Sequence, residues 1–220
     1  MFGDLQGMSI SPKIEEAPGS MRRAPVQARS QERVKLLLDT TATLVDEVGI
    51  EGVTTGLLAE RAKVSIGSVY RFFPDRISLM RALSARNLER FGARYLAEFE
   101  RLEVGTWQEA MDVTITQFVE MHRSEPGFRA LRFGDVIDEQ LLDGTESNNG
   151  VLAESFAHIL TERLGVKGTD ELRLQVQAAT EICDGMLSRA FFMDSDGDQW
   201  MIDECRTVVR EYLDQRLELA

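Results

Sequence analysis

Between Val53 and Arg76, three helix-start signals crowd into two dozen residues, and this crowding limits what the chain can build more than any other feature. Thr54 and Thr55 are N-cap residues ahead of Leu57, Leu58, Ala59 and Ala62, which predicts a helix of barely two turns. Ser65 follows after only Lys63 and Val64 and caps a second short helix through Ile66, Val69, Tyr70 and Phe73. Two short helices joined so tightly predict a helix-turn-helix. Pro74 cannot continue the second helix, and Asp75 is placed to cap a longer one running from near Arg76 through Leu79, Leu83, Leu88 and Phe91 toward Leu102.

The flanking chain is helical by the same reasoning. Val34, Leu37, Leu38, Thr41, Leu44, Val45 and Val48 recur at steps of three and four from Gln31, one face of an amphipathic helix that ends at Gly49. Beyond Leu102, breaks are expected at Gly105, at Pro126-Gly127, across Asp143 to Gly150, at Gly165 to Gly168 and around Asp194 to Asp198. This spacing predicts about nine helices, and neither strand-like alternation nor an internal repeat interrupts them. The expected fold class is therefore all-α. Residues 1–30, with Pro12, Pro18 and Pro25 and little periodicity, suggest a flexible tail, and Met8 and Met21 are alternative starts. Arg22, Arg23 and Arg29 in it are either solvated or a basic arm.

Composition narrows the class. A chain of 220 residues, 43% apolar and 28% charged, can bury a core without disulfides or metals. No apolar run approaches the roughly 18 residues of a membrane helix, and the opening residues lack a secretory signal, so a cytoplasmic protein is expected. Cys183 and Cys205 have no C-x-x-C spacing and read as small core residues. The net charge of −12 opposes binding a polyanion, but it is unevenly spread. Residues 22–82 carry ten Lys/Arg against seven Asp/Glu, whereas residues 83–220 carry fourteen against twenty-seven. A nucleic-acid contact would have to lie in the N-terminal third.

The stretch RAKVSIGSVYRFFPDR, Arg61 to Arg76, preceded by VTTGLLAE from Val53, resembles the N-terminal domain of the TetR family of tetracycline-repressor-like bacterial regulators. The resemblance covers about Arg33 to Leu83 and rests on the Gly49 break, the paired threonines, Ala59, the Val64-Ser65 turn, Tyr70, Phe73 and Arg76. It implies a DNA-binding domain over residues 31–83 and an effector-binding and dimerisation domain over residues 84–220. It also implies a repressor of a palindromic operator that lets go on binding a small effector, and no cofactor. Carried over position by position, Ile66, Gly67 and Ser68 fall where such proteins read bases, and Thr55, Tyr70 and Arg76 where they hold phosphates. Ser65 caps the helix and is placed to touch a phosphate. Val69 and Phe73 are expected in the core. Gly56 stands where some members place a base-reading arginine, and Phe72 replaces a frequent histidine or tyrosine. Lys63 occupies a turn position that is often glycine, which predicts a positive φ there.

In that family the last two long helices usually pair two copies. Two apolar stripes fit: Leu172, Val176, Ala179, Cys183, Met186, Leu187 and Ala190 on one helix, and Ile202, Cys205, Val208, Val209, Tyr212, Leu213 and Leu217 on the next. Val176, Cys183, Leu187, Val208 and Tyr212 are the expected dimer contacts, and a homodimer would present two recognition helices about 34 Å apart. For the effector pocket the apolar candidates are Tyr95, Met111, Ile115, Phe118, Met121, Phe128, Phe133, Phe156 and Met186, with Phe91, Leu131 and Phe191 nearby. Polar candidates are His122, Arg129, Arg132, Asp135, His158 and Asp184, each of which also fits a surface or helix-helix pair. Neither histidine has a second one four residues on, and no glycine-rich phosphate loop or G-x-S-x-G occurs, so neither an enzyme nor a metal site is expected. A DNA-binding protein whose acidic body recruits a protein partner, with no effector, is the alternative.

Overall fold

The computed structural model describes residues 23–131 and 148–219. Eight helices fill these segments: α1 Arg23–Gly52, α2 Thr55–Arg61, α3 Ile66–Phe72, α4 Arg76–Arg101, α5 Trp107–Ser124, α6 Asn148–Leu164, α7 Leu172–Met193 and α8 Gln199–Asp214. Among the described residues the extended pairing is a single bridge between Val166 and Leu219. The all-α class is as expected.

Each cap proposed for the crowded region is in place. Thr54 Oγ1 accepts from the Leu57 N–H at 3.1 Å, Ser65 Oγ from Ser68 at 3.2 Å, and Asp75 Oδ1 from Ser78 at 2.7 Å. Ser78 returns the bond by offering its hydroxyl oxygen to the Asp75 N–H, which closes a capping box at the start of α4. Between α2 and α3 the Val64 N–H reaches back to the Ala59 carbonyl at 3.0 Å, and Lys63 adopts φ 53° as the left-handed residue of that closure. Two local features differ from expectation. α1 begins at Arg23 rather than Gln31, because Pro25 sits in a first turn, where its missing N–H costs little, and no breaker follows it before Gly49. Gly49 does interrupt the helix, with φ 72° and ψ 166°. The second left-handed residue other than glycine is Glu103 at φ 51°, two positions before the break expected at Gly105.

The buried side chains fall into two cores. Leu37, Leu44 and Val45 of α1 pack with Leu58 of α2, Val69 of α3 and Leu79, Met80 and Leu83 of α4. The larger core takes Leu88, Phe91 and Tyr95 further along α4, with α5, α6, α7 and α8 around them. One continuous helix therefore contributes to both cores. A second tie runs through the segment after α5. Phe128 is buried in the larger core and Leu131, three residues on, in the smaller one. Gly127, at φ 75°, donates its N–H to Asp46 of α1 at 2.9 Å, and a Cβ there would lie 3.0 Å from the Ala42 backbone. The buried Glu125 carboxylate receives Arg90 and also Arg94 at 3.1 Å, while Asp39 of α1 takes Arg86 at 2.8 Å and Arg90 at 3.6 Å. α1, α4 and the end of α5 are thus joined by shared charge as well as by packing.

Lys63 holds a conformation that a β-carbon disfavours. Lys63→Gly is expected to raise stability by about 0.5–1 kcal/mol, whereas Lys63→Ala, which keeps the Cβ, should gain nothing. Urea unfolding of the three proteins followed by circular dichroism measures the difference.

Candidate functional site

α3 is held from beneath. Val69 and Phe73 are buried in the smaller core, and that anchoring turns the first turn and the opposite side of the helix outward. Ile66 is 51% exposed and Tyr70 49%, Gly67 is exposed, and Ser68 is half-buried beside the exposed cap Ser65. Ile66 and Tyr70, one helical turn apart, leave an apolar and an aromatic surface next to each other on the outer side of α3. Thr55, at the start of α2, donates its hydroxyl to the Tyr70 phenol oxygen at 3.2 Å. The bond fixes the tyrosine against the neighbouring helix. Six of the seven positions assigned to DNA contact therefore gather around the two short helices.

Arg76 is placed differently. Its guanidinium donates to the Glu51 carboxylate at 2.7 Å and to the Glu51 carbonyl at 3.2 Å, tying the start of α4 to the end of α1. Arg61 is similarly paired with Glu47 at 2.9 Å, and that contact holds the exposed Glu47 carboxyl below its usual range. Sequence periodicity gave no sign of either pair, because the partners lie 14 and 25 residues away.

The larger core encloses a narrow cavity of about 50 Å³, bounded by α4, α5, α6, α7 and α8. Tyr95, Met111, Ile115, Phe118 and Phe156 line it. Met121 and Phe128 are buried away from it, Met186 is partly buried at the core's edge, and Phe133 lies outside the described residues. Trp107, Thr114 and Thr180 line it without having been anticipated. The two threonines fall one helical turn from Met111 and Cys183, so a strict apolar stripe passed over them. Their hydroxyls donate to the carbonyls four residues back, Ala110 at 2.9 Å and Val176 at 3.0 Å, and burial pushes the neighbouring Tyr95 phenol above its usual range. Of the polar candidates, His122 is buried with Nδ1 donating to the Phe118 carbonyl at 2.8 Å, Asp184 is buried and His158 is exposed. Arg129 donates to the carbonyls of His122 and Ser195, each at 2.6 Å. Arg132 and Asp135 lie outside the described residues.

Three of the five expected dimer contacts need correction. Val176, Cys183 and Leu187 are buried within the protomer's own core and leave no surface for a second copy, while Val208 and Tyr212 are half-buried. A 3.6-residue stripe marks an apolar face without saying whose core it enters. The same two helices do expose apolar groups, but others: Leu174, Phe192 at 81%, Met193, and Trp200 at 68%. Both cysteines are free and buried. Among the described residues no helix is long and apolar enough to cross a membrane, and no cluster of three metal-ligating side chains occurs.

Comparison with known proteins bears on these surfaces. Residues 37–83 match the bacterial regulatory proteins of the tetR family, and residues 105–217 match the tetracyclin repressor-like C-terminal domain. The transcriptional repressor KstR of Rhodococcus jostii is 41% identical over 64 residues, 29% of this chain and 30% of that protein. The chain thus matches under a third of the length of that curated relative. A TetR-family transcriptional regulator from Streptomyces coelicolor superposes with a TM-score of 0.70 and 34% identity, over 83% of this chain and 98% of that one. RolR, in a crystal structure with the ligand resorcinol, shares the fold at a TM-score of 0.54 and 19% identity, over 88% of this chain and 100% of that one.

The capping and the exposed face are separable. Ser65→Ala is expected to cost about 1 kcal/mol of stability, whereas Ile66→Ala, on the solvent side, should change it by less than about 0.5 kcal/mol. Thermal or urea melts of both variants distinguish them.

Proposed function

Because the chain belongs to the tetracycline-repressor-like family of bacterial regulatory proteins, we propose that it is a homodimeric, DNA-binding transcriptional repressor acting in the cytoplasm, released from a palindromic operator by a small apolar or amphipathic effector. Residues 31–83 are the DNA-binding unit and residues 84–220 the effector and dimer unit. One observation carries the reading: α3 is anchored by Val69 and Phe73 so that Ile66, Gly67 and Ser68 lead outward from a capped N-terminus, with Tyr70 braced by Thr55 beside them. A helix entering a major groove N-terminus first puts those short side chains on base edges. Ser68 offers a hydroxyl and Ile66 an apolar contact for a thymine methyl. Ser65, Thr55 and Tyr70 reach phosphates, helped by the positive end of the helix.

Arg76 contributes in competition with Glu51. A phosphate must displace or share that ion pair, and an exposed pair of this kind is worth at most about 1 kcal/mol. For the dimer, Leu174, Phe192, Met193 and Trp200 are the apolar surface left over on α7 and α8, which suits a two-fold four-helix contact. The cavity around Tyr95, Thr114 and Thr180 is the effector site nearest in chemistry to a small amphipathic molecule. At about 50 Å³ it must widen to take one, since ligand pockets typically span roughly 300–1,000 Å³. Widening would load the helices around it, α4 among them, and oppose the arrangement that fits DNA. The fold's capacity for such a ligand is supported by RolR, which holds resorcinol. A second reading draws on the same exposed patch: Phe192, Met193 and Trp200 would seat a protein partner, with no effector involved.

Selecting bound duplexes from random DNA with the purified protein is the test, followed by fluorescence anisotropy on the winning site. Tyr70→Phe is expected to weaken binding about fivefold, the equivalent of one hydrogen bond of ~1 kcal/mol. Ser68→Ala should relax preference at one base position in each half-site. Equal binding by both variants would contradict the placement of α3. Glu51→Gln should tighten binding severalfold at low salt by freeing Arg76, with little change in the melt. Light scattering should find dimers of the wild type and monomers of Trp200→Glu; a dimer that survives this change, together with Phe192→Glu, would leave the patch to another partner.

A further inference from the structure

Cys183 of α7 and Cys205 of α8 are the chain's two cysteines, and both are free and buried in the larger core. Their helices pack along one another, and the two thiols meet across that contact as hydrogen-bonding neighbours. The pair is turned into the protomer's own core, whereas the apolar patch of Leu174, Phe192, Met193 and Trp200 on the same helices is exposed. The Cys205 sulfur pushes the Cys183 thiol well above its usual range, with burial adding to it, and the Cys183 S–H lowers Cys205 in return. The shared proton therefore rests on Cys183, and Cys205 is the sulfur that more readily becomes a thiolate. Cys183 also lines the cavity of about 50 Å³, beside Thr180 one turn earlier on α7. As it stands this cavity has room for a molecule little larger than water and excludes a drug-sized one. The Thr180 hydroxyl donates to the Val176 carbonyl and can still accept from a small O–H donor there.

We propose that Cys183 and Cys205 are a peroxide-responsive dithiol switch, which hydrogen peroxide entering the cavity converts to an intrachain disulfide between α7 and α8. With Cys205 as the thiolate, Cys183 passes its proton to Cys205 while its own sulfur takes one peroxide oxygen. The S–O bond forms, the O–O bond breaks and hydroxide leaves. Cys205 returns the proton to that hydroxide, making water, and attacks the sulfenic sulfur. The S–S bond forms, the S–O bond breaks and a second hydroxide leaves. The two sulfurs have then given up two electrons, and the two peroxide oxygens have taken them. Bonded sulfurs lie about 2.0 Å apart, whereas touching thiols are roughly 4 Å apart, so closure draws the two helices together where they cross. Helix shifts of about 1–2 Å at subunit contacts are large enough to switch an assembly. α7 and α8 carry the exposed patch assigned above to the second copy, so the bond alters the spacing of the two recognition helices. In a reducing cytoplasm such bonds are transient and serve sensing. The effect on DNA rests on the regulator reading above; the sulfur chemistry does not.

Counting thiols in the reduced full chain before and after hydrogen peroxide tests the chemistry, by alkylation after denaturation and mass spectrometry. Both thiols should disappear together, leaving a Cys183–Cys205 cross-linked peptide in chains that stay monomeric on a denaturing gel, and dithiothreitol should restore them. Glutathione disulfide, too large for the cavity, should leave both thiols intact over the same time. Thiols that survive peroxide, that oxidise singly to sulfinic acid, that bridge two chains, or that react as readily with glutathione disulfide would each overturn the proposal. Anisotropy on the selected duplex reads the consequence. Oxidised wild type should bind at least about fivefold more weakly and recover with dithiothreitol. Cys205→Ala and Cys205→Val should bind as the reduced wild type does and ignore peroxide, and the wild-type result stands by itself if neither variant folds. A disulfide that forms without changing DNA affinity, or an equal loss of affinity in the Cys205 variants, contradicts the switch. If no duplex is selected at all, the regulator reading fails, while the thiol counts still decide whether the dithiol responds to peroxide.

Discussion

Burial of Val69 and Phe73 beneath α3 is the constraint from which the rest of the interface follows. Each such side chain removed from water contributes about 1.5–3 kcal/mol, more than any single polar contact on the helix's outer side. Their spacing of four residues fixes the helix's rotation, because one residue of slippage turns it by about 100°. Ile66, Gly67 and Tyr70 face outward because Val69 and Phe73 face in. The caps at Thr54, Ser65 and Asp75 then set where each short helix begins, so that three helices and two tight turns fit between α1 and the body of the protein.

The same economy shapes the junction. α4 passes without interruption from the smaller core to the larger, and the segment from Glu125 to Leu131 crosses between them a second time. Gly127 permits the crossing, since its backbone lies against Ala42 where a side chain would collide. The buried Glu125, shared by Arg90 and Arg94, makes the end of α5 sensitive to the register of α4. Two connections of different kinds, one a continuous helix and one a short anchored strap, join the two cores. A ligand bound in the larger core would act through them only by favouring one arrangement over another.

Local chemistry made the N-terminal helix-turn-helix part of the protein readable from its residues. Capping side chains act over three positions, and the left-handed turn at Lys63 follows from a family pattern in which glycine is common, so both were visible in the sequence and both occur in the structure. What depended on distant partners was not visible. The Glu51 pair that occupies Arg76 and the strap through Phe128 and Leu131 join residues with no sequence relation. The apolar stripes of α7 and α8 were correctly placed on helices, yet Val176, Cys183 and Leu187 enter the protomer's own core. Amphipathic period identifies a buried face and is silent on which chain buries it. For the same reason the cavity's threonines, hidden between apolar neighbours, were passed over, and Met121 and Phe128 proved to be packing.

The central claim, that the N-terminal turn of α3 lies within a DNA groove, is tested most directly by replacing Ile66 with a photoreactive amino acid and irradiating the protein on its selected duplex. The account predicts cross-links to bases in both half-sites, about one helical turn apart, and none from the same group placed at Leu102, an exposed residue just past the far end of α4. Cross-links absent from position 66 while the variant still binds, or equally frequent from both positions, would contradict it.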